Sequence, residues 1–145
     1  MATSAFPCYD GATAGLGKDP TVAYTTSSGV ETQFDCSDFS VLGLTFRLVS
    51  GTAPTSLEYL LEVSADDISV ATGSSVWSHV PVVVASGGGY AAAESPASIT
   101  WALTASGLAS HFVEWEIGAA KKFRIRVKRT GGAADTRVSV RAVLA

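Results

Sequence analysis

The sequence predicts an all-β fold, an antiparallel β-sandwich of jelly-roll-like form preceded by an extended N-terminal arm. Three observations predict it. Of 145 residues, 47% are hydrophobic and only 16% charged, a composition that buries a core instead of staying disordered. The 14 Gly and 5 Pro favour short strands and tight turns over long helices. From Thr21 onwards, apolar and polar residues alternate over short segments, the pattern of half-buried strands.

Taken in order, residues 1–20 hold Gly11, Gly15 and Gly17 among Ala and Thr and show no sustained period. They read as an arm outside a domain that spans 21–145. Phe6, Tyr9 and Leu16 are its scattered apolar anchors, too few to offset an ordering entropy of ~1–2 kcal/mol per residue. The arm is therefore expected to be ordered through another chain. Strands are expected at 21–25, 29–35, 40–50, 55–64, 76–85, 97–104, 109–118, 121–129 and 135–144. Pro81 cannot donate to a ladder and places 76–85 at an edge or a bulge. Residues 86–89 form a loop, under a tenth of the chain is expected to be helical, and the short helical turn is expected near 106–110. The clearest strand alternates Phe123, Ile125 and Val127 with Arg124, Arg126 and Lys128. A turn at 118–120 would set Glu116 opposite Lys122 and Glu114 opposite Arg124, making the last three strands a meander.

No stretch approaches the ~20 apolar residues of a membrane-spanning helix. The opening residues have neither a basic nor an apolar signal region, so synthesis and folding in a cytoplasm are expected, with no membrane partner. Cys8 and Cys36 have no Cys-x-x-Cys spacing and are expected to be free thiols. Two histidines, His79 and His111, lie in no motif, and the supply of ligands is too thin for zinc. Glu58 and Glu62, or Glu114 and Glu116, share a face as paired carboxylates do in glycoside hydrolysis. Both pairs sit where an adjacent strand would neutralise them. No phosphate-cradling glycine motif is present. The expectation is a protein that is not an enzyme and takes no cofactor.

Charge is uneven. Residues 1–120 carry 12 acidic and 2 basic side chains, and residues 121–145 carry 1 and 8, within a net charge of −3. The basic cluster admits three readings: a solvated face balanced by Glu114 and Glu116, a surface for an acidic protein partner, or a nucleic-acid surface. The last is the weakest, because no aromatics interleave the exposed cations for bases to stack on. The candidate contact residues are Arg124, Arg126, Arg137 and Arg141, with Phe6 and Tyr9 of the arm.

Three stretches carry a resemblance: Phe46-Arg47-Leu48-Val49-Ser50-Gly51; Leu61-Glu62-Val63-Ser64-Ala65-Asp66-Asp67 leading towards Trp77; and Phe123-Arg124-Ile125-Arg126-Val127-Lys128 with its Gly-Gly turn and closing Val138-Ser139-Val140-Arg141-Ala142. Together they resemble the small β-sandwich virion proteins of tailed bacteriophages. The resemblance implies a capsid decoration or cement protein, a homo-oligomer that binds the major capsid protein or another virion protein and clamps neighbouring capsomers without catalysis. The arm would reach across a neighbour. A tail or head-tail connector component is the nearest alternative. A small module binding a glycan or host surface is the other, weakened because the chain has no Asn and only Gln33.

Overall fold

A computed structural model describes residues 4–13, 16–27, 32–80, 82–86, 89–93, 97–100 and 109–145. Among them there is no α-helix, only a 3-10 turn at Thr72–Ser74, so no helix is long and apolar enough to cross a membrane. The strands are β1 (Ser4–Tyr9), β2 (Phe34–Asp35), β3 (Val41–Ser50), β4 (Ser56–Ser64), β5 (Ser78–His79), β6 (Val82–Ser86), β7 (Gly89–Ala93), β8 (Ala97–Thr100), β9 (Ala109–Glu116), β10 (Lys122–Thr130) and β11 (Arg137–Leu144). Pro81 and residues 87–88 lie outside the described residues. So does most of the expected turn at 106–110, whose last two residues open β9.

All pairs are antiparallel. Sheet A runs β1-β11-β3-β9, sheet B runs β2-β10-β4-β5 with β8 also on β4, and β6 and β7 form a separate ribbon. β1 pairs β11, β2 pairs β10, β3 pairs β9, and β4 pairs β5 and β8. These five pairings are nested, as in one long hairpin folded back on itself. Wrapping that hairpin adds two more contacts, β11 on β3 and β10 on β4. The result is the jelly-roll arrangement of two sheets.

Alternation decides what lies between the sheets. Leu42, Leu44, Phe46 and Leu48 of β3 and Val138, Val140, Ala142 and Leu144 of β11 are buried from sheet A. Leu57, Tyr59 and Leu61 of β4 and Phe123, Ile125 and Val127 of β10 meet them from sheet B. Phe46 and Tyr59 stack across the gap at 4.5 Å between ring centroids. Gly51, after β3, has φ +85°, and a Cβ there would lie 2.1 Å from the Asp135 carbonyl oxygen. Only glycine lets the chain leave β3 beside the start of β11.

Two expectations are corrected. The first part of the N-terminal arm is an integral strand. Ser4 to Tyr9 pair with Leu144 to Val140, Cys8 and Tyr9 are buried, and Phe6 packs 5.3 Å from Phe34 and 6.2 Å from Phe123. Pro7 is tolerated because this is an edge strand of sheet A, and its position faces outward. The loop that follows is tied down from within: the Asp10 carboxylate accepts from the Gly11 and Gly17 amides at 2.9 and 2.7 Å. The second correction concerns the C-terminal meander. β9, β10 and β11 alternate between sheets A, B and A. Glu116 faces Val41 and Glu114 faces Gly43, not Lys122 and Arg124.

Candidate functional site

The outward residues of the sandwich divide into two unlike surfaces. On sheet B, β10 presents Lys122, Arg124, Arg126 and Lys128 beside Glu58, Leu60 and Glu62 of β4. Glu62, only 4% exposed, accepts from Arg124 Nε at 3.2 Å and from Arg126 Nε at 2.7 Å. Burial alone would raise its carboxyl pKa. The hydrogen bonds and charges of the two guanidinium groups outweigh burial and hold it below the ordinary glutamate value. Lys128 Nζ lies 2.9 Å from Glu58, which also accepts from the Tyr24 hydroxyl at 3.1 Å. The hydrogen bond from Lys128 is the main reason the Glu58 carboxyl is lowered.

Lys122 is fully buried in spite of its outward phase. Its ammonium donates to Val70 O at 2.7 Å, Ser75 Oγ at 2.5 Å and Gln33 Oε1 at 3.1 Å. Gln33 in turn donates to the carbonyls of Ile68 and Val70. Trp77 lies over the same surface, with the Arg124 guanidinium 4.4 Å from its ring centroid and its indole N–H on Thr72 O at 3.0 Å. The segment from Ile68 to Trp77 is thus strapped onto β10. This surface is saturated by its own chain.

Sheet A has a different outer surface. Across the strands, one row reads Pro7, Arg141, Thr45, Phe112. The next reads Ala5, Val143, Gly43, Glu114, followed by Val41 and Glu116. On the other side of the first row, Ser139 lies beside Arg47. Phe112 is 58% exposed, and its ring lies over Gly43, where a Cβ would come within 3.0 Å of it. Glycine is needed there so that the ring can lie on the sheet. Arg47, Arg141, Glu114 and Glu116 are all exposed. Among the described residues none of the four is in an ion pair.

The structure therefore separates the residues read as one contact surface. Arg124 and Arg126 are outward on sheet B and held by Glu62; Arg141 is outward on sheet A. Arg137 donates to the carbonyls of Ala134 and Thr136 at 2.7 and 2.9 Å. Tyr9 has no exposed surface, and its hydroxyl meets Thr25 Oγ1 at 2.9 Å. Phe6 is half-buried against the core. Neither is an exposed anchor for a partner. The balance expected from Glu114 and Glu116 comes instead from Glu58 and Glu62. Arg47 and Phe112 were not singled out by the sequence, although Phe112 shares the phase of Glu114 and Glu116 and so had to be an outward aromatic.

Other reactive groups are committed elsewhere. Cys8 and Cys36 are free and buried. Burial raises the Cys8 thiol strongly, and burial with the nearby Asp35 charge pushes Cys36 up to about 11, so both are protonated at neutral pH. Among the described residues, no three His, Cys, Asp or Glu side chains are gathered as a metal site. A cleft of about 330 Å³ lies between Val63, Asp66, Val76, Ile117 and Ala119. The Asp66 carboxylate at its rim accepts from the Val76 amide at 2.7 Å.

Comparisons with protein-family models, with curated proteins and with solved structures find no match for this chain.

Proposed function

We propose that this protein is a structural virion subunit of the decoration or cement type, which works by adhering to neighbouring subunits and not by catalysis. The observation that carries the reading is the outer surface of sheet A, four strands wide, with an exposed aromatic among charges that have no ion-pair partner among the described residues. Such a surface fits a protein contact better than a small-molecule site, which is concave. The jelly roll is an arrangement that viral capsid domains use, and lectins use it too. The strand patterns that resemble tailed-phage virion proteins favour the first, and the absence of Asn weighs against the second.

Cosedimentation with undecorated capsid shells of tailed bacteriophages tests the proposal. Saturable, stoichiometric binding to the shell is expected. Binding to isolated tails instead would move the protein to the tail or connector. Failure to bind either, together with saturable binding to a glycan array, would replace the proposal with the glycan-binding reading.

A further inference from the structure

We infer that the outer surface of sheet A is a two-fold contact between copies of this chain; the inference rests on the reading of the protein as an assembly subunit and names the partner. The argument begins with the order of residues along the strands. From one end to the other the surface runs from Arg47, through the row of Arg141, Thr45 and Phe112 and the row of Val143, Gly43 and Glu114, to Glu116 beside Val41. A surface charged oppositely at its two ends is complementary to itself when turned over.

A two-fold axis running across the strands, between the Phe112 row and the Gly43 row, performs that operation. It places the Arg47 end of one copy over the Glu116 end of the second, and does so twice. Residue i meets j and j meets i, the defining property of an isologous contact. Arg47 and Glu116 stand on adjacent strands, β3 and β9, ~4.8 Å apart. One strand spacing is within reach of an arginine. The exposed Phe112 ring then meets the Val143, Gly43 and Glu114 row of the second copy. Four strands of ~4.8 Å spacing and about 27 Å length give roughly 500 Å² of footprint per copy. Two copies bury on the order of 1,000 Å², the lower edge of specific interfaces. The contact is accordingly a concentration-dependent one.

The experiment is sedimentation equilibrium on the isolated chain, without shells. The wild type is expected to dimerise reversibly. Arg47→Glu and Glu116→Arg each place like charges together twice and are expected to weaken dimerisation by about tenfold or more. The decisive step is mixing. In a heterodimer of the two variants both charge pairs are opposite again, so the mixture is expected to associate within about threefold of wild type. The double variant Arg47→Glu/Glu116→Arg should recover likewise. Phe112→Ser, on an exposed side chain, should weaken dimerisation while leaving the thermal unfolding midpoint in place. A wild type that stays monomeric at millimolar concentration overturns the inference, and so does a mixture no tighter than its components. A monomer that still coats shells sinks this inference alone. A dimer that binds no virion part sinks the functional proposal alone.

Discussion

On sheet B, each outward cation of β10 ends on a carboxylate, carbonyl or hydroxyl of its own chain; on sheet A, the outward arginines Arg47 and Arg141 and the outward glutamates Glu114 and Glu116 end in solvent. Both sheets are built from the same alternation, so the difference arises from register. β10 lies beside β4, whose outward residues include Glu58 and Glu62, and opposite charges meet across one strand spacing. In sheet A the outward arginines of β3 and β11 face Ser139 and Thr45, while the glutamates sit at the other end of edge strand β9. β3 stands between Arg141 and Glu114, and Arg47 and Glu116 lie at opposite ends of their strands, so each is left with water. The two surfaces thus differ in how their charges are met: by the chain's own side chains on sheet B, and by solvent on sheet A.

The comparison can be broken at several points. The largest effect is expected from deleting residues 1–9. β1 covers β11 and contributes Cys8 and Tyr9 to the core, so the truncated chain should fail to give a cooperative unfolding transition. A folded, cooperative truncation would return these residues to the status of an arm. Next comes Glu62→Ala, which leaves Arg124 and Arg126 half-buried without their carboxylate. A loss of about 2–3 kcal/mol in urea denaturation is expected, against less than about 0.5 kcal/mol for Glu114→Ala or Arg141→Ala on the open surface. Equal losses on both surfaces would remove the distinction.

Acid titration sharpens the same contrast. The Glu62 carboxyl in the folded chain lies below its ordinary value of 4.5. Its contribution is therefore complete above pH 4.5 and is lost as pH falls through the folded value. Between those values the wild type should lose stability more steeply than Glu62→Gln, and the two curves should converge at the acid end. Parallel curves would show that Glu62 does not couple to protonation. The smallest effect is expected from Gly43→Ala. The new Cβ meets the far edge of an exposed ring, which can lift, so the change should stay under about 1 kcal/mol. It should shrink further in a Phe112→Ser background, where a double-mutant cycle measures the coupling.

Much of the fold is legible in the sequence. The strands at 40–50, 55–64, 121–129 and 135–144 appear within a residue or two as β3, β4, β10 and β11, and their inward residues form the core. Partner choice was not legible. Alternation states which residues of β9 and β10 face inward but not whether they share a sheet, and the pairs Glu114 with Arg124 and Glu62 with Arg124 satisfy charge equally well. β1 was missed because Phe6 and Cys8 give only two alternating inward positions, and the shift in register between Pro7 and Tyr9 ends the alternation there. The candidate surface was half visible: Arg141 was named, and its companions were hidden by the same uncertainty over which strands lie side by side.

The nested pairing has a consequence for biosynthesis. β11, the last of the described strands in chain order, is an interior strand of sheet A, between β1 and β3. Until it emerges from the ribosome, β1 and β3 have no common partner. At ~5–20 residues per second, the interval between completion of β3 and of β11 is on the order of 10 s. During that time β1 has no partner strand in sheet A and β3 has only β9, so sheet A closes in a late, long-range event. Chaperone contact is therefore expected to concentrate on nascent chains carrying β1 through β10, and to end when β11 docks.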